Sequence, residues 1–274
     1  MIREKIQIGL ACAKNCEKYL SFFIKTLILN TSLDQLKYLE VILCINDNRV
    51  SIDLIDKAIK KAKNHGLIVN KVFALQKTGG SSGHGFSLDK ILSCMNTRYG
   101  IFSDCDIAIL KKDWLESLFE IMENNNNQLI AIGSEYAGQK YKNFPNVVFC
   151  IFDVEKVKSL NISFMPGNRI TIDKSNKDIF GRSLGENIHL DTGWEFCYKS
   201  INHGYKGEVM KIVSPRIKET QKYLKFMTPD MRGEEYQLRG EPIVTHIGRS
   251  YTRSFEEKIV QDWKERVIEW IKSE

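Results

Sequence analysis

Nowhere in these 274 residues is there an apolar run approaching the eighteen or more residues of a membrane span. The opening, Met1-Ile2-Arg3-Glu4-Lys5, lacks the apolar core and small-residue cleavage site of a signal peptide and runs straight into an apparent strand. A disulfide framework is missing too. The seven cysteines are odd in number, spread from Cys12 to Cys197, and mostly set in apolar segments where a thiol packs as a small hydrophobe. A cytoplasmic protein with no integral membrane segment is therefore expected. Cys12 and Cys16 have no second pair downstream to complete a zinc site. There is no arginine-rich arm or recognition-helix pattern, so the net charge of +6 does not indicate nucleic acid, although it suits an anionic ligand. Neither G-x-x-x-x-G-K-[ST] nor a G-x-G-x-x-G after the first strand occurs, which argues against kinase, ATPase and dehydrogenase chemistry.

What is present is the pattern of an α/β protein. Hydrophobic content of 43% and charged content of 27% are ordinary for a globular chain, and the length suits one large domain. Residues 6–12, 39–45, 67–75, 99–103 and 128–133 are short, β-branched and apolar, as buried parallel strands are. Between them lie helical stripes: one at Tyr19, Phe22, Phe23, Thr26 and Leu27, and another at Ile52, Ile55, Ala58, Ile59 and Ala62, started by Ser51 and stopped at Gly66. Residues 86–96 and 112–124 predict two further helices. Strands alternating with helices at this spacing imply βαβ units and an open, mostly parallel sheet, with ligands beyond the carboxyl ends of the strands. The second half is less regular. Tracts around 161–188 and 214–241 read as functional lids, and residues 255–271 read as an amphipathic C-terminal helix packed on the core.

The chemistry concentrates where strand meets loop. Tyr99-Gly100-Ile101-Phe102-Ser103-Asp104-Cys105-Asp106 ends a buried strand with two carboxylates one residue apart. Alternation along extended backbone puts Asp104 and Asp106 on one side of the sheet's carboxyl edge, where such a pair suits Mn2+ or Mg2+ bound to a diphosphate. Asp47 follows the second strand to the same edge, placed to accept hydrogen bonds from a nucleoside. Gly79-Gly80-Ser81-Ser82-Gly83-His84-Gly85 reads as a glycine-rich loop that lets backbone approach a ligand. His246, late in the chain, sits on a short strand as a candidate further metal ligand. Trp194 offers an apolar face to a sugar ring, and Tyr223, Phe226, Tyr236 and Tyr251 are weaker candidates for the same task.

Together these residues resemble the glycosyltransferases of the GT-A fold, close to the inverting enzymes of family 2. The resemblance rests on the first strand opening at Ala11 to Asn15, on Asp47, on S-G-H-G-x-x-L-D-K-I-L at 82–92, on SDCD at 103–106, on Trp114 heading the next helix, on HLDTGWEF at 189–196 and on the late His246. It implies a single GT-A domain over 1–274, with a nucleotide-sugar half at 1–110 and an acceptor half with the C-terminal helix at 111–274. It further implies a UDP- or GDP-sugar donor contacted by Ala11, Asp47, His84, Ser103 and Asp104, and a divalent metal on Asp104, Asp106 and His246. A glycan or other hydroxyl acceptor would then lie beside Trp194, with Asp191 as the base, Glu186 and Glu195 being the alternatives. The proline and tyrosine usual in the family's first strand and its common Glu-Asp dipeptide are absent here. Two other classes fit a paired-carboxylate site less well. A nucleotidyltransferase acting on sugar phosphates would want a basic clamp near the first loop, where only Lys14 is available, and an inactive sugar-nucleotide-binding module would need neither metal pair nor base.

Overall fold

The computed structural model describes residues 4–75, 80–125, 128–135, 143–167, 190–248 and 257–274. Glu186, His189, Tyr251, Phe255, Gly79 and most of the tract at 161–188 lie outside them. In chain order the described elements are β1 (Ile6–Cys12), α1 (Glu17–Leu29), α2 (Leu33–Leu36), β2 (Leu39–Ile45), α3 (Ile52–Asn64), β3 (Ile68–Phe73), α4 (Gly80–Cys94), β4 (Tyr99–Asp104), β5 (Ile107–Ile109) and α5 (Trp114–Asn124). They continue with β6 (Leu129–Ser134), β7 (Phe149–Asp153), α6 (Val154–Ser159), α7 (Trp194–Asn202), β8 (Lys206–Val213), β9 (Glu234–Leu238), β10 (Glu241–His246) and α8 (Glu257–Ser273).

The described strands form one ten-stranded sheet in the order β3-β2-β1-β4-β7-β6-β8-β9-β10-β5. Its first four strands are parallel, as the alternating pattern requires. Beyond β4 the sheet is mixed: β7 is antiparallel to both its neighbours, β8 runs parallel to β6, and β9, β10 and β5 are antiparallel. The tract at 214–241 is thus not all loop, since it ends in β9.

Alternating strand residues divide two cores. Ile8, Leu10, Val41, Leu43 and Ile101 pack with residues of α1, α3 and α5 on one face. Ile42, Cys44 and Phe102 pack with Leu88 and Ile91 of α4 and Phe196 of α7 on the other. Helix α3 ends as its sequence dictates. Gly66 adopts φ +79 and donates to the Lys63 carbonyl at 3.0 Å, while Leu67 donates to Ala62 at 3.1 Å, the double bond of a glycine C-cap. Helix α8 lays Trp263, Val267 and Ile271 against Tyr19, Phe22, Ala108 and Phe226. Burying each of those large side chains contributes about 1.5–3 kcal/mol, which accounts for its amphipathic stripe as core packing.

Two features position the site. Helix α4 sits unusually close to the sheet because Gly9 and Gly100 present no side chain: a Cβ would lie 2.3 Å from Ile91 Cγ2 at Gly9 and 2.6 Å from Met95 Sδ at Gly100. The second feature is curvature. Strands β4 and β5 are six places apart in the sheet, about 29 Å if it were flat, yet Cys105 and Asp106 alone join them, spanning about 11 Å at most. The C-terminal strands must therefore curl back and deliver the end of β10 to the end of β4.

Candidate functional site

Register places the first carboxylate. Ala11 of β1 is the partner of Asp104, the last residue of β4, at the carboxyl edge of the parallel strands. The chain then turns through Cys105 and Asp106 into β5, and β5 pairs antiparallel with β10 so that Ile107 faces His246. Two segments 140 positions apart are thereby locked side by side. His246 Nε2 lies 3.3 Å from Asp106 Oδ1 and 3.9 Å from Asp104 Oδ2. One ligand atom from each of Asp104, Asp106 and His246 lies within 4.8 Å of the others. That spread is close to the roughly 4.2 Å between opposite ligands of a cation with bonds of about 2.1 Å, and the donor set of two carboxylates and an imidazole suits a hard to intermediate divalent ion.

The electrostatics agree. Burial favours the neutral imidazole of His246, yet the Asp106 and Glu234 carboxylates outweigh it and hold its pKa well above the ordinary value. Asp106 itself is only 4% exposed. Such a concentration of buried negative charge calls for a positive group, which a proton on His246 or a divalent cation can supply.

The opposite flank is built by α4. From Gly80 onward the segment expected to be a glycine-rich loop forms its first turns, and Gly85 packs against protein backbone: a Cβ there would lie 2.5 Å from the Phe164 carbonyl oxygen. Asn46, at the end of β2, donates to the Gly83 carbonyl at 3.2 Å and to Ser87 Oγ at 2.8 Å, tying that helix to the sheet edge. His84 is thereby held with Nε2 3.3 Å from Asp104 Oδ1. Burial again opposes its protonation, and Asp104, with Asp191 and Asp106 further off, raises its pKa nonetheless. Asp104 so has one oxygen facing each histidine.

Asp191 reaches this neighbourhood on a segment docked from the second half. Thr192 Oγ1 donates to the Ser81 carbonyl at 3.0 Å, and Gly193 N–H donates to that of Phe164 at 3.2 Å. Gly193, at φ +81, turns the chain into α7, headed by a half-buried Trp194 whose ring centroid is 6.1 Å from that of Tyr198. Glu195 is engaged elsewhere. It accepts from Ser163 N–H at 3.0 Å and pairs with Lys199 Nζ at 2.7 Å. Asp47 arrives at the same sheet edge with its carboxylate gripped by Arg49, Oδ1 to Nε at 2.9 Å and Oδ2 to a terminal guanidinium nitrogen at 2.6 Å. Those bonds lower its pKa to about 2.

Several expected side chains point elsewhere. Ser103 is fully buried, its hydroxyl donating to the Asp104 carbonyl at 3.1 Å, so only its backbone faces the edge. Phe226 and Tyr236 belong to the core and offer no exposed ring to a sugar. Cys12 is buried, and burial with the nearby Asp106 carboxylate pushes the Cys16 thiol up, the reverse of a zinc thiolate. Two acidic residues take roles that the sequence alone does not assign. Glu234 lies 3.6 Å from His246 Nδ1, and Asp89 accepts from Phe164 N–H at 2.7 Å and from Ser163 Oγ at 3.0 Å, fastening the strip on which Gly193 docks. The alternation of the EEYQL strand before the histidine was the available signal for Glu234.

Residues 10–184 match the sequence profile of Glycosyl transferase family 2. No curated protein sequence matches. Among solved structures, the WbbM bifunctional glycosyltransferase in its apo form aligns with a TM-score of 0.56 and 12% identity over 99% of this chain and 50% of that one. The mannosyltransferase PcManGT from Pyrobaculum calidifontis, solved in complex with GDP-Man and Mn2+, aligns with a TM-score of 0.51 and 12% identity over 76% of this chain and 55% of that one. The chain spans about half the length of these solved structures. Among the described residues no helix is long and apolar enough to cross a membrane.

Proposed function

Because the chain belongs to glycosyl transferase family 2 and has the GT-A fold, we propose that it transfers a sugar from a UDP- or GDP-sugar to an acceptor hydroxyl, with inversion and with Mn2+ or Mg2+. The observation that carries this is the convergence of Asp104, Asp106 and His246 at the carboxyl edge of the parallel strands. These three residues hold the cation, which when bound neutralises charge on the departing diphosphate. Asp47 receives the nucleoside, with Ala11, His84, the Ser103 backbone and Asp104 lining the donor. The PcManGT complex with GDP-Man and Mn2+ supports a donor and metal of this kind. The whole chain, 1–274, acts as one domain, donor half first and acceptor half second, in the cytoplasm, where a reducing environment suits its seven free cysteines.

Inversion requires a base on the face of the donor opposite the leaving group, to take the acceptor's proton as the anomeric carbon becomes oxocarbenium-like. Asp191 fills this role. Its segment is docked on α4 beside Trp194, the platform for the acceptor, and Glu195 is withdrawn into its bonds with Ser163 and Lys199. A donor-hydrolysis screen of UDP-, GDP- and dTDP-sugars with and without Mn2+ tests the proposal. Slow hydrolysis of one UDP- or GDP-sugar that stops on adding EDTA is expected. Hydrolysis of none, or hydrolysis indifferent to EDTA, contradicts it.

A further inference from the structure

We propose that Glu234, backed by Tyr236, is a positioning residue that fixes the His246 imidazole for metal ligation, an inference that rests on the assignment of Asp104, Asp106 and His246 as the cation site. Antiparallel register makes Glu234 of β9 the partner of His246 on β10. The imidazole stands between two sets of carboxylates, with Nε2 toward Asp106 and Asp104 and Nδ1 3.6 Å from Glu234 Oε2. Nδ1 is buried and, among the described residues, has no hydrogen-bond partner at this distance, so a shift of a few tenths of an ångström completes its bond to Glu234. A neutral imidazole carries one proton. Placed on Nδ1 and directed at Glu234, it leaves the Nε2 lone pair for the cation, whereas the other tautomer would present an N–H to the metal.

Glu234 is itself held. The buried Tyr236 hydroxyl donates to Glu234 Oε2 at 2.7 Å. Thr245 Oγ1 donates to the Glu234 carbonyl at 2.9 Å, and Trp263 Nε1 donates to Thr245 Oγ1 at 3.2 Å, so α8 clamps the strand pair. Glu234 is not a fourth ligand, because it addresses the ring nitrogen turned away from Asp106. Its neighbour Glu235, on the other face, does different work: fully buried, it accepts from the Lys225, Phe226 and Met227 backbone N–H groups at 3.0, 2.8 and 2.8 Å. Adjacent glutamates thus separate a site role from a folding role.

The test is Mn2+ binding to the full chain with UDP or GDP present, measured by electron paramagnetic resonance, with pulsed detection of the directly bound imidazole nitrogen. Wild type shows that nitrogen and His246→Ala lacks it. Glu234→Ala should bind Mn2+ about 10–100-fold more weakly, the usual cost of removing such a partner, and lose most of the nitrogen coupling. Glu234→Gln, which keeps an acceptor oxygen, should recover part of both. Tyr236→Phe should move both in the same direction by less, and it decides the matter alongside the glutamine variant if the alanine variant does not fold. Wild-type Mn2+ affinity and full nitrogen coupling in Glu234→Ala, or in both milder variants, overturns the role of Glu234 while leaving the cation site standing. Absence of the imidazole nitrogen in wild type overturns both assignments.

Discussion

Strands β1 to β4 and strands β8 to β10 supply opposite halves of one acidic cluster, and they do so by different physics. In the first group β1, β2 and β3 are each followed by a helix, neighbours in space are mostly neighbours in sequence, and Asp47 and Asp104 reach the sheet edge because every strand is parallel. In the second group placement depends on distant pairing. His246 meets Asp106 only because β10 pairs with β5 across a sheet curled enough for a two-residue turn to close it. Local pattern writes the first kind of order into the sequence, and the second exists only once the chain has folded.

Substitutions in the two regions should differ in what they disturb. The largest effect belongs to Asp191, which the second half brings to the first. Asp191→Asn should lower transfer by about 10²–10⁴-fold while leaving donor affinity nearly unchanged, as loss of a general base does. Normal turnover in Asp191→Asn, together with retention of the donor's anomeric configuration in the product, would sink the inverting mechanism. Next comes the proposed cation site. Asp106→Ala should weaken Mn2+-dependent nucleotide binding more than about 100-fold, exceeding the outer-partner range, and His246→Ala should weaken it less, because a carboxylate brings charge and a neutral imidazole does not. Calorimetry showing equal losses refutes that ranking.

Smaller effects separate packing in the two regions. Gly9→Ala forces a methyl to within 2.3 Å of Ile91 Cγ2, a branch that χ1 holds fixed, which costs about 1–3 kcal/mol in thermal or denaturant unfolding and leaves Mn2+ affinity intact because α4 carries none of the three proposed ligands. Gly233→Ala should do more. Gly233 has φ +121, and its Cβ would lie 2.7 Å from the His246 carbonyl oxygen, so strain of about 1–3 kcal/mol comes with displacement of the backbone that carries the proposed ligand His246. Reduced Mn2+ affinity in Gly9→Ala but not in Gly233→Ala would reverse the assignment. The smallest effect is at Asp47. Arg49→Ala should raise its pKa from about 2 toward the ordinary carboxylate value, readable by NMR titration. The folded-state pKa being depressed, the stability this pair contributes is present above the unfolded pKa and is lost as pH falls toward 2. A pKa that stays near 2 without Arg49 contradicts this.

How much of this the sequence disclosed follows the same division. The strands β1, β2, β4 and β6, the stripe of α3 with its Gly66 stop, the Asp104-Asp106 pair and the burial of α8 were all legible, because each is a short-range pattern of burial or turn chemistry. Helix α4 began earlier than propensity suggested, and Gly85 within it lies against the Phe164–Met165 backbone, a close approach that no local rule reveals. Strands β7, β8 and β9 and the role of Glu234 were not read, because their meaning lies in pairings between distant segments. Strand alternation turns the buried Ser103 side chain inward from its acidic neighbour, which leaves its backbone at the edge.

If Asp104 and His246, from opposite halves of the chain, share one cation with Asp106 as proposed, nucleotide binding must depend on metal. Titration calorimetry of the wild-type protein with UDP and GDP, in Mn2+ and again in EDTA, tests it most directly. Tight binding of one nucleotide in Mn2+ that collapses in EDTA is the predicted result, since without the ion the carboxylates repel the diphosphate. Binding of equal affinity in both buffers would contradict the account.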